Sequence, residues 1–135
     1  MYPQRAAAQY RSVSNHGLVA EASPARLVQI VYEQMLANLA TAQGCMARIE
    51  NNMPVNEVIA KGKAMGKAIR LIDHLNNTLD MERGQKIAQD LRALYVYMLA
   101  RLTLANVAND ATIVAEVSRL IQTVKTGWDQ IVDTR

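Results

Sequence analysis

Hydrophobic residues recur along much of the chain with alternating spacings of three and four, which is the period of an amphipathic α-helix. The first such stripe follows Ser23-Pro24, a pair typical of a helix start because serine caps the helix and proline fits its first turn. It predicts a first helix that ends near Asn51-Asn52. Its expected core positions are Val28, Tyr32, Met35, Leu39, Ala42, Met46 and Ile49.

Three more stripes predict three more helices. The second helix follows Pro54, with Asn56 as its cap, and its stripe is Val58, Gly62, Met65, Ile69, Ile72, Asn76 and Leu79. We expect residues 80–84 to turn the chain before the third stripe, which is Ile87, Leu91, Leu94, Met98, Leu102 and Ala105. Asp110 caps a fourth helix with the stripe Ile113, Val117, Leu120, Val124, Trp128 and Ile131.

Long helices joined by short connections pack side by side with alternating direction. Residues 23–135 are therefore predicted to form an all-α, antiparallel up-down-up-down four-helix bundle. Residues 1–22 are polar, with isolated apolar residues such as Tyr2, Tyr10 and Leu18. We expect this N-terminal segment to be a mobile tail or a short, loosely docked capping helix.

Composition narrows the class of protein. A chain of 135 residues has the length of one domain. The longest apolar run, Ala93 to Ala100, is far shorter than the ~20 residues that cross a bilayer, and the N-terminus lacks the apolar block of a secretion signal. These features predict a cytosolic protein without membrane insertion.

Cys45 is the single cysteine, so it forms no internal disulfide, and we expect an inert packed thiol. The net charge of +3 comes from interspersed charges and does not indicate nucleic-acid binding.

The residues do not assemble into an enzyme site. Carboxylate-bridged metal sites in bundles need inward-pointing Glu-x-x-His pairs, whereas Val13 and Leu71 precede His16 and His74 by three positions. The apolar stripes contain no acidic residue, so neither a metal nor another cofactor is expected. Glycine-rich phosphate loops are absent, and no serine can be combined with a base and an orienting group.

His74 and the basic residues of the second helix each allow a functional interpretation beside a structural one. His74 is predicted to be accessible, on the side of Lys63, Lys67 and Arg70, so a histidine phosphotransfer domain is a distant alternative to a solvated histidine. The basic residues form a strip that is a solvated face or a contact for phosphate or an acidic protein. Gly62 and Gly66 form a small-x-x-x-small pattern, which indicates close helix packing.

The third helix is unusual because it is apolar on both faces. Eleven of the thirteen residues between Ala93 and Ala105 are apolar, and only Arg101 is charged. If its stripe faces the core, the opposite side carries Ala93, Val96, Tyr97, Ala100 and Leu104. An exposed strip of this kind indicates an interaction site, covered by the N-terminal segment, a second copy or an amphipathic segment of another protein. Alternatively, this helix is simply the central helix of an imperfect bundle.

Residues 10 to about 132 resemble the flagellin export chaperones of the FliS type. The resemblance rests on Tyr10, on Trp128, and on Ser23-Pro24 followed by Leu27, Val28, Val31 and Tyr32. Its more specific part is Leu75-Asn76-Asn77-Thr78-Leu79-Asp80, followed by Gly84, Ile87-Ala88, Leu91, Leu94-Tyr95, Tyr97-Met98, Leu102 and Ala105-Asn106. The chain departs from the family pattern at Glu33-Gln34, where Asp-Gly is common, and at Val31, which replaces leucine.

The resemblance implies a non-enzymatic chaperone that binds the disordered C-terminal segment of flagellin, prevents premature polymerisation and delivers it to the export gate of the flagellar type III apparatus. The apolar contacts it suggests are Tyr10, Val28, Tyr32, Leu79, Leu94, Tyr95, Tyr97, Met98, Leu102 and Leu104. Asn76, Asp80, Arg101 and Asn106 would orient the guest. We expect the segment around Tyr10 to cover the groove until flagellin arrives. The runner-up is a self-associating bundle, in which a homodimer buries the strip.

Overall fold

The computed structural model describes residues 23–52 and 55–133, and these residues form four helices. They are α1 (Pro24–Asn52), α2 (Val55–Asn77), α3 (Met81–Ala108) and α4 (Ala111–Asp133). Helix α1 packs against α2 and α4, and α3 packs against the same two helices from the other side, all in antiparallel contact. The predicted four-helix fold is confirmed. The expectation for residues 1–22 lies outside the described residues.

Polar contacts tie the helix ends together. At one end, Arg48 of α1 forms an ion pair with Glu57 of α2 at 2.8 Å. At the other end, the indole Nε1 of Trp128 donates to the carbonyl of Ala25 at 2.7 Å and so joins the end of α4 to the start of α1. Each contact joins the start of one helix to the end of another, as antiparallel packing requires.

The predicted caps of α1 and α4 are confirmed. The hydroxyl of Ser23 accepts from the backbone nitrogen of Arg26 at 3.2 Å, and Asp110 accepts from the nitrogen of Thr112 at 3.0 Å. Helix α2 begins at Val55, so Asn56 lies in its first turn. The prediction that Asn56 caps this helix is wrong. Asp80 is a further cap, because its carboxylate accepts from the nitrogen of Arg83 at 3.0 Å.

The stripe of α1 is confirmed as a core face. Tyr32 and Ile49 are buried, Val28 is half-buried, and Met35, Leu39, Ala42 and Met46 have no exposed surface. Cys45 is buried beside this face, as expected, and burial raises the pKa of its thiol. The low thiolate content favours the packing role that the sequence suggests.

The stripe of α2 is turned relative to the prediction. Met65 and Ile72 are buried, but Val58 and Gly62 are exposed, and Ile69, Asn76 and Leu79 are half-buried. The buried positions also include Lys61, Ala64, Ala68 and Leu75. Because Ala64 and Ala68 are small, the helix approaches its neighbours along the line of these alanines, and the larger residues beside them move toward the surface.

The start of α3 also differs from the prediction. The turn is confined to residues 78–80, and the helix bends at Gln85, whose φ of 47° and ψ of −120° lie outside the helical region. Ala88 is buried, whereas Ile87 is 72% exposed. Ala88, and not Ile87, faces the core at this turn of the helix, next to the bend. The predicted stripe of α3 therefore holds from Leu91 onward and does not include Ile87.

In α4, Ile113 and Val117 are buried, and Leu120, Val124 and Trp128 are partly buried against the core. Val114 and Ile121 widen this buried face. Ile131 is exposed, contrary to the predicted stripe, because it lies beyond Trp128, which already meets the first turn of α1.

None of the described helices is long and apolar enough to cross a membrane. Within residues 23–52 and 55–133, no group of three or more His, Cys, Asp or Glu residues is arranged to hold a metal ion.

Candidate functional site

The outer face of α3 carries a continuous strip of exposed small and apolar residues. Val96 is 52% exposed, Tyr97 43% and Leu104 49%, and the smaller Ala93 and Ala100 are exposed on the same side. Val107 is 83% exposed and extends the strip by one turn. We call Ala93, Val96, Tyr97, Ala100, Leu104 and Val107 the outer strip; at 1.5 Å per residue it is about 20 Å long.

The outer strip exists because the core needs only one face of α3. Tyr95, Met98, Leu102 and Ala105 are buried, and their spacing of three and four places them together on the side toward the bundle. Val96, Tyr97, Ala100 and Leu104, which lie between them in sequence, are exposed on the opposite side, yet they are apolar as well. The prediction of a helix with two apolar faces is confirmed, and the closed bundle does not bury the second face.

A polar cluster borders the outer strip on the side of α4. The hydroxyl of Tyr97 donates to Glu116 at 2.6 Å, and Nε of Arg101 donates to the same carboxylate at 3.0 Å. The Arg101 guanidinium also lies 6.0 Å from the centre of the Tyr97 ring. The cluster holds the exposed ring of Tyr97 in one position, so the apolar surface beside it is partly preorganised.

Electrostatics within this cluster are consistent with its geometry. Hydrogen bonds from Tyr97 and then Arg101 lower the pKa of Glu116. The pKa of Tyr97 is raised, first because its hydroxyl donates to Glu116. Near neutral pH the carboxylate is therefore ionised and the phenol is protonated, which are the states that keep both hydrogen bonds.

Glu116 was not predicted from the sequence, because nothing local to α4 indicates that it meets α3. Val107 was also not predicted. It follows Leu104 by three positions, so extending the helical periodicity beyond Ala105 would have included it.

The predicted guest contacts do not form one compact site. The core holds Tyr32, Tyr95, Met98 and Leu102, while Val28, Leu79 and Leu94 are half-buried against it. Only Tyr97, Leu104 and the half-buried Arg101 belong to the outer strip or its border. Tyr10 lies outside the described residues.

The predicted polar contacts lie at two ends of the bundle. Asp80 caps the start of α3, whereas the carbonyl of Asn106, near the helix end, accepts from Nζ of Lys61 at 3.0 Å. These positions are separated by roughly 40 Å along the helix. Asn76 is half-buried, and its Oδ1 is buried and accepts no hydrogen bond from the described residues.

His74 is not the accessible histidine that the sequence predicted. The ring is half-buried, its Nε2 atom is buried, and desolvation lowers its pKa, although the charge of Asp73 opposes the shift. A phosphate-carrying histidine needs a ring nitrogen open to its partner. Because Nε2 is buried, the structure does not favour phosphotransfer through this nitrogen.

Comparison with known proteins gives a consistent family. The family model described as "Flagellar protein FliS" matches residues 6–135. The flagellar secretion chaperone FliSB of Pseudomonas aeruginosa is 43% identical over 131 residues, which cover 97% of this chain and 98% of that protein. The flagellar secretion chaperone FliS of Salmonella typhimurium is 36% identical over 132 residues, covering 97% and 93% of the two chains. That of Vibrio cholerae is 36% identical over 122 residues, covering 90% and 85%.

Proposed function

Because the chain belongs to the FliS family of flagellar secretion chaperones, a family without enzymatic activity, we propose that it binds the C-terminal segment of flagellin on the outer strip of α3. The observation that carries this proposal is the exposure of Val96, Tyr97 and Leu104 side by side on the outer face of α3. A contiguous exposed apolar surface is unfavourable in water and favours a partner that covers it.

The guest chemistry follows from the shape of the surface. A strip about 20 Å long on one helix fits the apolar face of an amphipathic helix, with anchors at spacings of three and four. A segment that is disordered before binding can fold onto it and bury on the order of 1,000 to 3,000 Å². The ordering of the guest costs several kcal/mol, which keeps the complex releasable. Binding in this way would prevent premature polymerisation and deliver flagellin to the export apparatus in the cytoplasm.

The polar cluster beside the strip would orient the guest. Arg101 and Glu116 hold each other at the edge of the apolar surface, so a guest that lies across Tyr97 meets both charges. Such rim charges set the direction and register of a bound helix more than its affinity.

The N-terminal segment is proposed to be a temporary cover for the same surface. Its isolated apolar residues, Tyr10 among them, stand in an otherwise polar sequence that leads into α1. Deletion of residues 1–18 should then strengthen binding of a flagellin C-terminal peptide. Unchanged or weaker binding would count against the cover.

The decisive experiment is a titration with the last ~50 residues of flagellin, followed by circular dichroism, because folding of the guest adds helical signal. Leu104→Asp places a charge on the strip and should weaken binding at least about tenfold, since the buried apolar contact is lost. Val55→Asp is the matched control, because Val55 is also an exposed apolar residue but lies on α2. Equal affinity of both variants would remove the outer strip from the site.

Self-association is the second candidate, and the same strip supports it. A homodimer would bury Val96, Tyr97 and Leu104 between two copies. Light scattering of the free protein separates the two proposals: a monomer that Leu104→Asp leaves unchanged supports the chaperone, and a dimer that Leu104→Asp dissociates supports self-association.

Handover of flagellin to components of the export gate is part of the chaperone proposal. It is tested by pull-down of these components with the flagellin-loaded chaperone.

A further inference from the structure

Helix α2 presents a strip of positive charge to solvent. Lys63, Lys67 and Arg70 are all exposed, and none of them forms an ion pair with a described residue. Six other cations of the described helices are paired: Arg26, Arg48, Arg83, Lys86, Arg101 and Lys125. Arg92 and Arg119 are also exposed and form no ion pair with a described residue, but they lie on α3 and α4. Lys63, Lys67 and Arg70 follow one another at spacings of four and three, so they lie along one face over about 10 Å.

The backbone beside these charges is uncovered. A Cβ added at Gly62 would meet no atom within 4 Å, and the nearest atom to one added at Gly66 would be a guanidinium nitrogen of Arg70 at 3.2 Å. The small-x-x-x-small pattern therefore does not pack against another helix of the described bundle, contrary to the expectation from the sequence. Ile59 is 54% exposed and precedes Lys63 by four positions, so the same face has an apolar end.

The combination selects one class of partner. Single-stranded nucleic acid needs aromatic platforms between the cations, and none lies on this face. Recognition of an anionic lipid surface is typical of four to eight clustered basic residues, which is more than this strip offers. An acidic helix needs only carboxylates at matching spacing, an apolar residue to cover Ile59, and room for close approach.

We propose that the outer face of α2 is a docking surface for an acidic amphipathic helix of another protein. Lys63, Lys67 and Arg70 would pair with carboxylates spaced by four and three, Gly62 and Gly66 would admit the partner backbone, and Ile59 would meet an apolar side chain. This proposal does not rest on flagellin binding, because the outer strip lies on a different helix. A chaperone with its guest on α3 would still offer α2 to a second protein.

The first test uses a defined probe and the full chain. The probe is a fluorescein-labelled alanine-rich helical peptide with one leucine and three glutamates at the matching spacing, measured by anisotropy at low salt. The charge variant Lys63→Gln/Lys67→Gln/Arg70→Gln should raise the dissociation constant about tenfold or more, since three exposed ion pairs are lost. The matched control is Arg83→Gln/Lys86→Gln/Arg92→Gln, which removes the same charge from exposed positions of α3 and should leave binding unchanged.

The second test separates a shaped surface from a diffuse charge effect. Gly62→Leu should weaken peptide binding at least about fivefold, because the side chain occupies the space of the partner backbone while the bundle has room for it. Gly127→Leu is the matched control, since a Cβ at Gly127 also meets nothing within 4 Å. A peptide of the same composition with its glutamates on three different faces should bind more weakly than the probe.

Several results would overturn the proposal. They are an absence of probe binding, equal binding to the two charge variants, equal binding to the two leucine variants, and equal binding of the rearranged peptide. Binding to vesicles with 30% anionic lipid that needs Lys63, Lys67 and Arg70, without binding to the probe, would assign the face to a membrane. Self-association that the charge variant abolishes would assign it to a second copy.

Discussion

The hydroxyl groups of Tyr32 and Tyr95 lie 2.5 Å apart in the core and share a hydrogen bond. The two residues are 63 positions apart and belong to α1 and α3, which do not pack side by side along their length. The bond therefore links diagonal helices through the centre of the bundle, where a polar pair is stable only if both partners are satisfied. Burial removes both tyrosines from the surface that a guest can reach without opening the bundle.

Loss of this bond should destabilise the fold. In Tyr95→Phe, the Tyr32 hydroxyl stays buried without its partner, so we expect the free energy of unfolding to fall by about 1–3 kcal/mol in urea. Tyr97→Phe is the control and should change stability much less than Tyr95→Phe, because its bond to Glu116 is exposed. The double variant Tyr32→Phe/Tyr95→Phe should lose less than the sum of the single losses. A Tyr95→Phe variant as stable as the parent would contradict the coupling.

Alkaline pH should weaken the fold through Tyr32. Burial raises the pKa of this hydroxyl, and the bond with Tyr95 opposes the shift only in part. The pKa of Tyr32 is therefore higher in the folded state than the value of about 10 in the unfolded state. The contribution of the protonated hydroxyl to stability is complete below about pH 10 and is lost as the pH rises toward the folded-state pKa. The free energy of unfolding, measured in urea between about pH 8 and 11.5, should therefore fall less steeply with pH for Tyr32→Phe than for the parent. Parallel curves would show that Tyr32 does not titrate differently in the two states.

The bend in α3 should make Gly84 intolerant of a side chain. In a regular helix, Cβ atoms four positions apart are about 5–6 Å from each other, but a Cβ at Gly84 would lie 2.6 Å from that of Ala88. Gly84→Ala should thus lower the free energy of unfolding by about 1–3 kcal/mol, since Ala88 is buried and cannot move freely. Gly127→Ala, where the added Cβ meets open space, should instead stabilise the protein by about 0.5–1 kcal/mol. A stabilised Gly84→Ala variant would mean that the bend is absent in solution.

Lys61 should stabilise the end of α3. Its Nζ donates to the carbonyl of Asn106 at 3.0 Å and to Oδ1 of Asn109 at 3.4 Å, although lysine is rarely buried. Lys61→Met keeps an apolar stem but leaves the Asn106 carbonyl without this donor, so unfolding should become easier by about 1–3 kcal/mol. Hydrogen exchange should also accelerate in the last turn of α3. Lys63→Met, on the exposed face, should change neither quantity appreciably; equal effects would argue against the role of Lys61.

Several features were predictable because helical periodicity alone decides which residues share a face. The stripe from Tyr32 to Ile49 and the outer strip around Val96 and Leu104 both follow from spacings of three and four. The caps at Ser23 and Asp110 were equally local, since each side chain bonds to a backbone nitrogen two or three residues away. The more specific part of the family resemblance lies between Leu75 and Asn106 and is also local.

Other features required the packed structure. Periodicity does not say how far an amphipathic face is turned, so the choice of Ala64 over Val58 as a core position was decided by how closely α2 approaches its neighbours. The exposure of Ile87 follows from the bend at Gln85, a backbone conformation that no local residue pattern announced. The half-burial of His74 likewise contradicts a wheel drawn for an isolated helix.

By itself, then, the sequence determined four helices, their main caps and a third helix too apolar for one core, because these depend on residues near one another in the chain. Tertiary structure decided which part of that excess stays exposed, and it brought Tyr32 to Tyr95, Lys61 to Asn106 and Glu116 to Tyr97. Those contacts join separate helices. They depend on the distance and rotation between packed surfaces, which a one-dimensional pattern does not contain.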